Sequence, residues 1–371
     1  MKKVHMLILI WLLTPTLVMA QAAPEKPEYF NQSVADSNPL RTEQARELDE
    51  YIKTIAADRS RFQKLFKPDY SSPQAFEKSA LPLRKAFSDS IGYPPPGKRP
   101  VKQATFQQIG EDAIGVYYRA MIPILPGVHS EGIYIVPKSA QGKTPLIISM
   151  HGGGGSPEVA LFNGGSNYND MVRGAVKRGY LVYAPQHLFR VDGYPKDIRH
   201  QIDSRMRLIG TSITAVEIAK ITFALDELIK RPEVDSDRIG MVGLSYGGYY
   251  AQMTPAIDTR IKVSVASCYF GVQEGRYAES ELSVPSDFRF MNRLTLFNDA
   301  DLVALICPRA LQIQAGSKDR ASHRETGKNI APRAAAFYKK LNLSNRFQYV
   351  IFEGGHEFDD ASAWTFVKKH L

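Results

Sequence analysis

Gly243-Leu244-Ser245-Tyr246-Gly247-Gly248 has the spacing G-x-S-x-G. That spacing sets a serine on a sharp turn between a strand and a helix, with its oxygen exposed at the top of a sheet. The glycines have a steric task, because side chains at 243 or 247 would strike neighbouring backbone. A serine hydroxyl is a weak nucleophile and needs a base, and the base needs an orienting acid. Gly355-His356-Glu357 supplies the histidine, whose ordinary titration near neutrality suits general-base and then general-acid work. Ser317-Lys318-Asp319-Arg320 supplies the carboxylate, flanked by two cations that favour its ionised form. Glu274 is the competing acid. An attacked carbonyl becomes an oxyanion, which needs backbone N–H donors set in advance. His151-Gly152-Gly153-Gly154-Gly155 lets the backbone approach that closely, so Gly153 and Gly154 are the expected donors together with the N–H of Tyr246. His151 itself reads as structural.

The elements that must hold these groups alternate between strand and helix. Val101 to Gln108, Ile114 to Ile122 and Gly132 to Val136 read as an antiparallel opening. Apolar strands follow at Pro145 to Met150, Tyr180 to Ala184, Arg238 to Leu244, Ile261 to Cys268, Ala310 to Ala315 and Phe347 to Phe352. Helices are expected at Asn169 to Arg178, Ser212 to Lys230, after Ser245, Ala331 to Leu341 and Ser362 to His370. Residues 185–206 read as a long loop, and residues 271–304 as an irregular, lid-like stretch. The pattern predicts a mostly parallel, doubly wound α/β sheet covered on both faces. The candidate groups all fall at carboxyl ends of its strands, where open α/β sheets place their sites.

Ahead of this domain, residues 1–20 read as a signal peptide. A basic start precedes a short apolar run, and Val18-Met19-Ala20 gives a small-residue cleavage site. The expectation is export, to the periplasm or the exterior, with no further run of membrane-spanning length. Residues 21–100 then comprise a polar lead-in, a helical extension and the stiff linker Gly92-Tyr-Pro-Pro-Pro-Gly97, leaving 101–371 for the catalytic domain. Leu48, Tyr51, Ile52 and Ile55 recur at helical spacing. A second helical stretch starts at Ser72-Pro73, and Pro82 kinks or divides it. The extension reads as a cap packed on a sheet edge or face.

The net charge is +9, and loss of Lys2 and Lys3 on cleavage leaves +7. The cations are scattered, which argues against nucleic-acid binding and for a solvated basic surface that favours acidic partners such as anionic polysaccharides. The eight histidines show no paired metal-ligand spacing, so no metal is expected. No G-x-G-x-x-G opens a helix after a strand, so no dinucleotide cofactor is expected either. Cys268 and Cys307 fall at opposite ends of their strands and should stay unbridged.

The order Ser, Asp, His along the chain is that of α/β-hydrolases. Residues from about 80 onward resemble the bacterial α/β-hydrolases grouped with acetyl xylan esterases and dienelactone hydrolases. The resemblance rests on Leu83-Arg84, Gly92-Tyr93-Pro94, Ile135-Val136-Pro137, Arg231 to Asp235 with Arg238-Ile-Gly240, Gly243 to Gly248, Ile306-Cys-Pro-Arg309 and Gly355-His356. It implies an α/β-hydrolase fold, esterase activity on small acyl groups of polysaccharides, and a triad of Ser245, Asp319 and His356. His151 to Gly154 is similar to the HGGG turn of lipases and esterases. Two other readings stand beside it: a peptidase of the prolyl-oligopeptidase kind, and a non-catalytic binding protein of hydrolase fold. Polar loops carrying Arg190, Tyr194, Lys196, Arg199, Arg205, Arg276, Tyr277, Phe288, Arg289 and Phe290 suggest a sugar-bearing substrate rather than a long-chain lipid.

Overall fold

Leu146, Ile147, Ile148 and Met150 form an apolar run of the kind that must be covered on both sides. In the computed structural model all four are buried. Leu146, Ile148 and Met150 point into one core and Ile147 into the other, as the two-residue strand period requires. The structure describes residues 33–162, 164, 166–188, 198–271 and 288–371. The proposed signal segment, Glu274 and most of the two polar loops lie outside these residues.

Nine strands form one sheet: β1 (Thr105–Glu111), β2 (Gly115–Leu125), β3 (Val128–Pro137), β4 (Thr144–Met150), β5 (Leu181–Pro185), β6 (Val234–Leu244), β7 (Ile261–Ser267), β8 (Ala310–Gly316) and β9 (Phe347–Phe352). Their order is β1-β2-β3-β5-β4-β6-β7-β8-β9. β1, β2 and β3 run antiparallel, and β4 to β9 are mutually parallel. The strand order reverses at β4, between β5 and β6, which is where such sheets open a crevice. There Met150 pairs with Gly243, so the glycine turn after β4 and the serine turn after β6 start side by side.

Helices cover both faces. α5 (Pro157–Phe162), α6 (Met171–Lys177) and α13 (Asp360–His370) contribute to one core. α8 (Ile213–Leu228), α9 (Tyr246–Ile257), α11 (Asp299–Ile306) and α12 (Ala321–Lys340) contribute to the other. Three stretches differ from the sequence expectation. The segment expected as a loop up to residue 206 contains α7 (Ile198–Leu208). Its carboxylate Asp203 is buried, takes the Ile213 N–H at 2.9 Å and pairs with Arg207, so tertiary contacts fix a helix whose apolar row is narrow. The stretch expected as irregular contains α10 (Arg293–Leu296) and α11, whose first turn carries buried Asp299 and Asp301. Asn298 caps α11 by accepting the Asp301 N–H at 3.1 Å. α12 begins at Ala321, ten residues before the expected start, because Gly327 and Pro332 interrupt its pattern. Gly327 is required by packing, since a Cβ there would meet the Phe270 carbonyl oxygen at 2.9 Å.

Two compact units divide the chain, Met1–Tyr51 and Ile52–Leu371. In the first, a 3-10 turn at Ala35–Ser37 leads into α1 (Asn38–Ala57), which runs across the boundary. Leu48, Tyr51, Ile52 and Ile55 of α1 are exposed rather than packed. In the second unit come α2 (Ser60–Leu65), α3 (Pro73–Ser79) and α4 (Leu81–Ile91), with Pro82 dividing the last two. Ser72 caps α3 through the Ala75 N–H at 3.0 Å. Leu83, Phe87 and Ile91, one turn apart, are buried. Arg84 donates to the carbonyls of Ala256 at 3.0 Å and Leu305 at 2.9 Å. In the second unit the extension therefore packs, through α4, on the helix layer over the ends of α9 and α11 in place of the sheet edge or face expected.

Candidate active site

Ser245 lies between β6 and α9 with φ 58° and ψ −114°, a backbone that a non-glycine residue adopts only under constraint. The constraint is close packing. A Cβ on Gly243 would meet the Gly247 carbonyl oxygen at 2.2 Å, and one on Gly247 would meet the Met150 carbonyl oxygen at 2.1 Å. The Ser245 N–H donates to the Ser267 carbonyl at 2.8 Å, which ties the turn to β7. Tyr246 is the first residue of α9.

The glycine turn after β4 lies against this elbow. A Cβ on Gly152 would come within 3.5 Å of the Ser245 Cβ. The Gly152 N–H donates to the Tyr168 hydroxyl at 2.8 Å, and Gly155 leaves room for the same ring. Gly153 is half-buried and Gly154 exposed at the tip of the turn. His151 is buried, donates from Nδ1 to the Gly152 carbonyl at 2.8 Å, and accepts at Nε2 from the His187 N–H at 3.3 Å. His187 was not singled out by the sequence reading. It follows β5, stacks on His151 with centroids 3.8 Å apart, and meets the Tyr246 ring edge-on at 4.5 Å. Burial lowers the His151 pKa to about 4 and holds His187 well below the ordinary value, so both rings are neutral.

His356 and Asp319 come together on neighbouring strand ends. Gly316 of β8 pairs with Phe352 of β9, and the turns that follow are laced by Ser317 N–H to Phe352 O and Lys318 N–H to Gly354 O, both 2.8 Å. His356 Nδ1 donates to Asp319 Oδ2 at 2.8 Å. The other carboxylate oxygen takes the Arg320 backbone N–H at 2.7 Å. The flanking cation Lys318 turns away to Glu353 at 2.7 Å. Asn167 donates to the His356 carbonyl at 2.9 Å, and Asn169 donates to the Glu357 carboxylate at 3.1 Å and the Phe358 carbonyl at 2.9 Å. These two asparagines hold the histidine turn, and no sequence signal marked them.

Cys268 follows β7 and is free and buried, as is Cys307. Burial pushes the Cys268 thiol up to about 12. Three residues expected on a sugar-facing surface have structural roles instead. Arg199 is buried with its guanidinium 4.3 Å above the Tyr246 ring. Phe288 packs among Tyr246, Tyr249 and Tyr269, and Phe290 against Phe87 and Phe297.

Residues 131–287 match the dienelactone hydrolase family. The matched stretch contains the glycine turn and the elbow, while Asp319 and His356 lie beyond it. The Bacillus subtilis protein YtaP, named as a hydrolase, is 25% identical over 270 residues, covering 70% of this chain and 89% of YtaP. A Bacteroides fragilis protein described as an acetyl xylan esterase superposes with a TM-score of 0.62 at 16% identity, covering 79% of this chain and 80% of that one. The methylesterase BT1017 gives a TM-score of 0.61 at 18% identity, over 88% of this chain and 68% of its own. A family 15 glucuronoyl esterase of Caldicellulosiruptor kristjansonii gives 0.53 at 17% identity, over 84% and 91%. The α/β-hydrolase fold of this domain is the one these esterases share.

Proposed function

We propose that this protein is a serine esterase that cleaves short-chain carboxylic esters, with the acyl group carried on a carbohydrate. The observations that carry this reading are the 2.8 Å hydrogen bond from His356 Nδ1 to Asp319 Oδ2 and a serine held at φ 58° on a glycine-flanked elbow at the same carboxyl ends of the parallel strands. In this mechanism Asp319 fixes the tautomer in which His356 Nε2 carries no proton and serves as the base. Nε2 takes the Ser245 proton as Oγ attacks the ester carbonyl. The N–H groups of Gly153, Gly154 and Tyr246 receive the oxyanion. Collapse expels the alcohol, which takes its proton from His356. Water then repeats the sequence on the acyl-enzyme and releases the acid.

The carbohydrate substrate is supported by the company the fold keeps, since the structural neighbours are named acetyl xylan esterase, methylesterase and glucuronoyl esterase. Export fits such a substrate, and the signal at residues 1–20 is part of the same proposal. Among the described residues no single helix is long and apolar enough to cross a membrane. The test is a screen of purified protein against acetylated, feruloylated and methyl-esterified glycans, with released acid or methanol measured. Release from none of them, with no fluorophosphonate labelling of Ser245, rejects the reading. Sequencing of the mature N-terminus should begin at Gln21.

A further inference from the structure

Cys268 stands directly behind the acid–base pair, and the mechanism gives it no task. Its backbone holds φ 55°, a conformation that a non-glycine residue keeps only where surrounding packing enforces it. Its Sγ, a carboxylate oxygen of Asp319 and a ring nitrogen of His356 lie within 4.8 Å of one another. Among the described residues the thiol donates to the Glu357 carbonyl at 3.3 Å, a weak bond, and takes another from the Ser267 hydroxyl at 3.6 Å. Thiolate, imidazole and carboxylate together are the ligand types of zinc, whereas magnesium and calcium select oxygen alone. Tetrahedral zinc bonds of about 2.0–2.3 Å set neighbouring ligand atoms roughly 3.3–3.6 Å apart. Reaching this geometry opens the 2.8 Å Asp319–His356 pair slightly and brings the thiol in by about 1 Å. The His356 side chain is 35% exposed, which gives a cation its approach and a water as fourth ligand.

We propose that Cys268, Asp319 and His356 form an inhibitory site for zinc. The proposal rests on the reading of His356 as the base and Asp319 as its acid. On binding, the Cys268 S–H bond breaks, the proton leaves to solvent and Sγ bonds to the metal. Asp319 turns from the imidazole to the metal, and the Nδ1 lone pair takes the third position. The proton formerly on Nδ1 is lost and Nε2 takes one up, so one proton is released per zinc bound and nothing is oxidised. Nε2 then carries a proton and cannot receive the one on Ser245. The ring is also tethered away from the serine. Removal of zinc restores the original tautomer.

The experiment uses the full mature chain, freed of metal by a chelator that is then removed. Zinc should inhibit hydrolysis of an acetyl ester in the micromolar range, and EDTA should restore it. C268S and C268A should keep their activity without zinc and need at least about tenfold more zinc for half-inhibition. Cobalt added to the wild type should give a near-ultraviolet thiolate-to-metal charge-transfer band, and C268S should lack it. The band does not depend on turnover, so it separates this proposal from the ester reading. A band without esterase activity leaves the metal site standing and removes the enzyme. Esterase activity with no band, or equal zinc sensitivity in wild type and both variants, overturns the site. Should the variants misfold, zinc protection of Cys268 from a small alkylating reagent, with Cys307 as internal control, decides the question. Equal alkylation with and without zinc overturns the proposal.

Discussion

His187 donates from Nε2 to the backbone carbonyl of His151 at 2.5 Å, and that carbonyl lies on the backbone that Gly247 approaches. One buried ring thus braces the turn after β4, while its edge packs on Tyr246 at the start of α9. The two backbone segments proposed to receive the oxyanion share this brace.

The brace should matter for turnover more than for binding. H187A leaves a buried carbonyl without its donor and opens a cavity, which costs on the order of 2–4 kcal/mol of stability. It should also lower kcat by roughly tenfold to a hundredfold, with KM little changed. H187Q, which can offer an N–H to the same carbonyl, should recover most of kcat. Steady-state kinetics of both variants check this. A raised KM with unchanged kcat would show that the ring does not serve the oxyanion.

Acid should weaken the fold through the same pair. In the unfolded chain both histidines titrate near 6.5, whereas in the folded chain His151 titrates at about 4 and His187 well below its ordinary value. Between these values the unfolded chain binds protons that the folded chain refuses. Their contribution is therefore complete above about pH 6.5 and is lost as pH falls toward 4, on the order of 3 kcal/mol for His151 alone. Urea unfolding from pH 7 to 4.5 measures the slope. H187Q should give a shallower slope than wild type, and equal slopes would contradict the assignment.

Ser245→Ala should abolish hydrolysis, by on the order of a million-fold, and leave the melting temperature nearly unchanged. Gly247→Ala should do the opposite kind of damage, because its Cβ would meet the Met150 carbonyl oxygen at 2.1 Å. Circular dichroism and soluble yield separate the two. More than about one per cent of activity in the serine variant would remove Ser245 from its role.

Asp319→Asn should lower kcat by about four orders of magnitude through the wrong imidazole tautomer, with KM less affected. Glu274→Gln should leave kcat near wild type. The reverse pattern would move the acid to the segment after β7.

Acetate or propionate esters of p-nitrophenol should be preferred over decanoate by at least about tenfold in kcat/KM, a gap of roughly 1.4 kcal/mol in the transition state. A chain-length series measured beside acetylated xylan tests this. Preference for decanoate, with no acetate released from any glycan, would exclude the carbohydrate ester reading.

Local rules made much of this molecule legible from its residues. The elbow shows in sequence because its strain admits only glycine at 243 and 247. The parallel strands show because burial on both faces demands unbroken apolar runs, and Leu146 to Met150 is one. The candidate acid Asp319 and candidate base His356 could be named because each follows such a run. What sequence could not decide are contacts between residues far apart in the chain. His187 reaches His151 across 36 positions, and Asn167 reaches the His356 carbonyl across 189. Cys268 joins Asp319 and His356 because β7, β8 and β9 bring their ends together, and no local pattern encodes that meeting. The same reason explains Arg199, Phe288 and Phe290. Their types suit a sugar surface or a core equally well, and tertiary packing against Tyr246, Tyr249 and Phe87 assigned them to the core. Helix α7 is likewise held from outside its own periodicity, by the Ile213 N–H on its buried Asp203, and Gly327 within α12 is set by the approach of the Phe270 backbone.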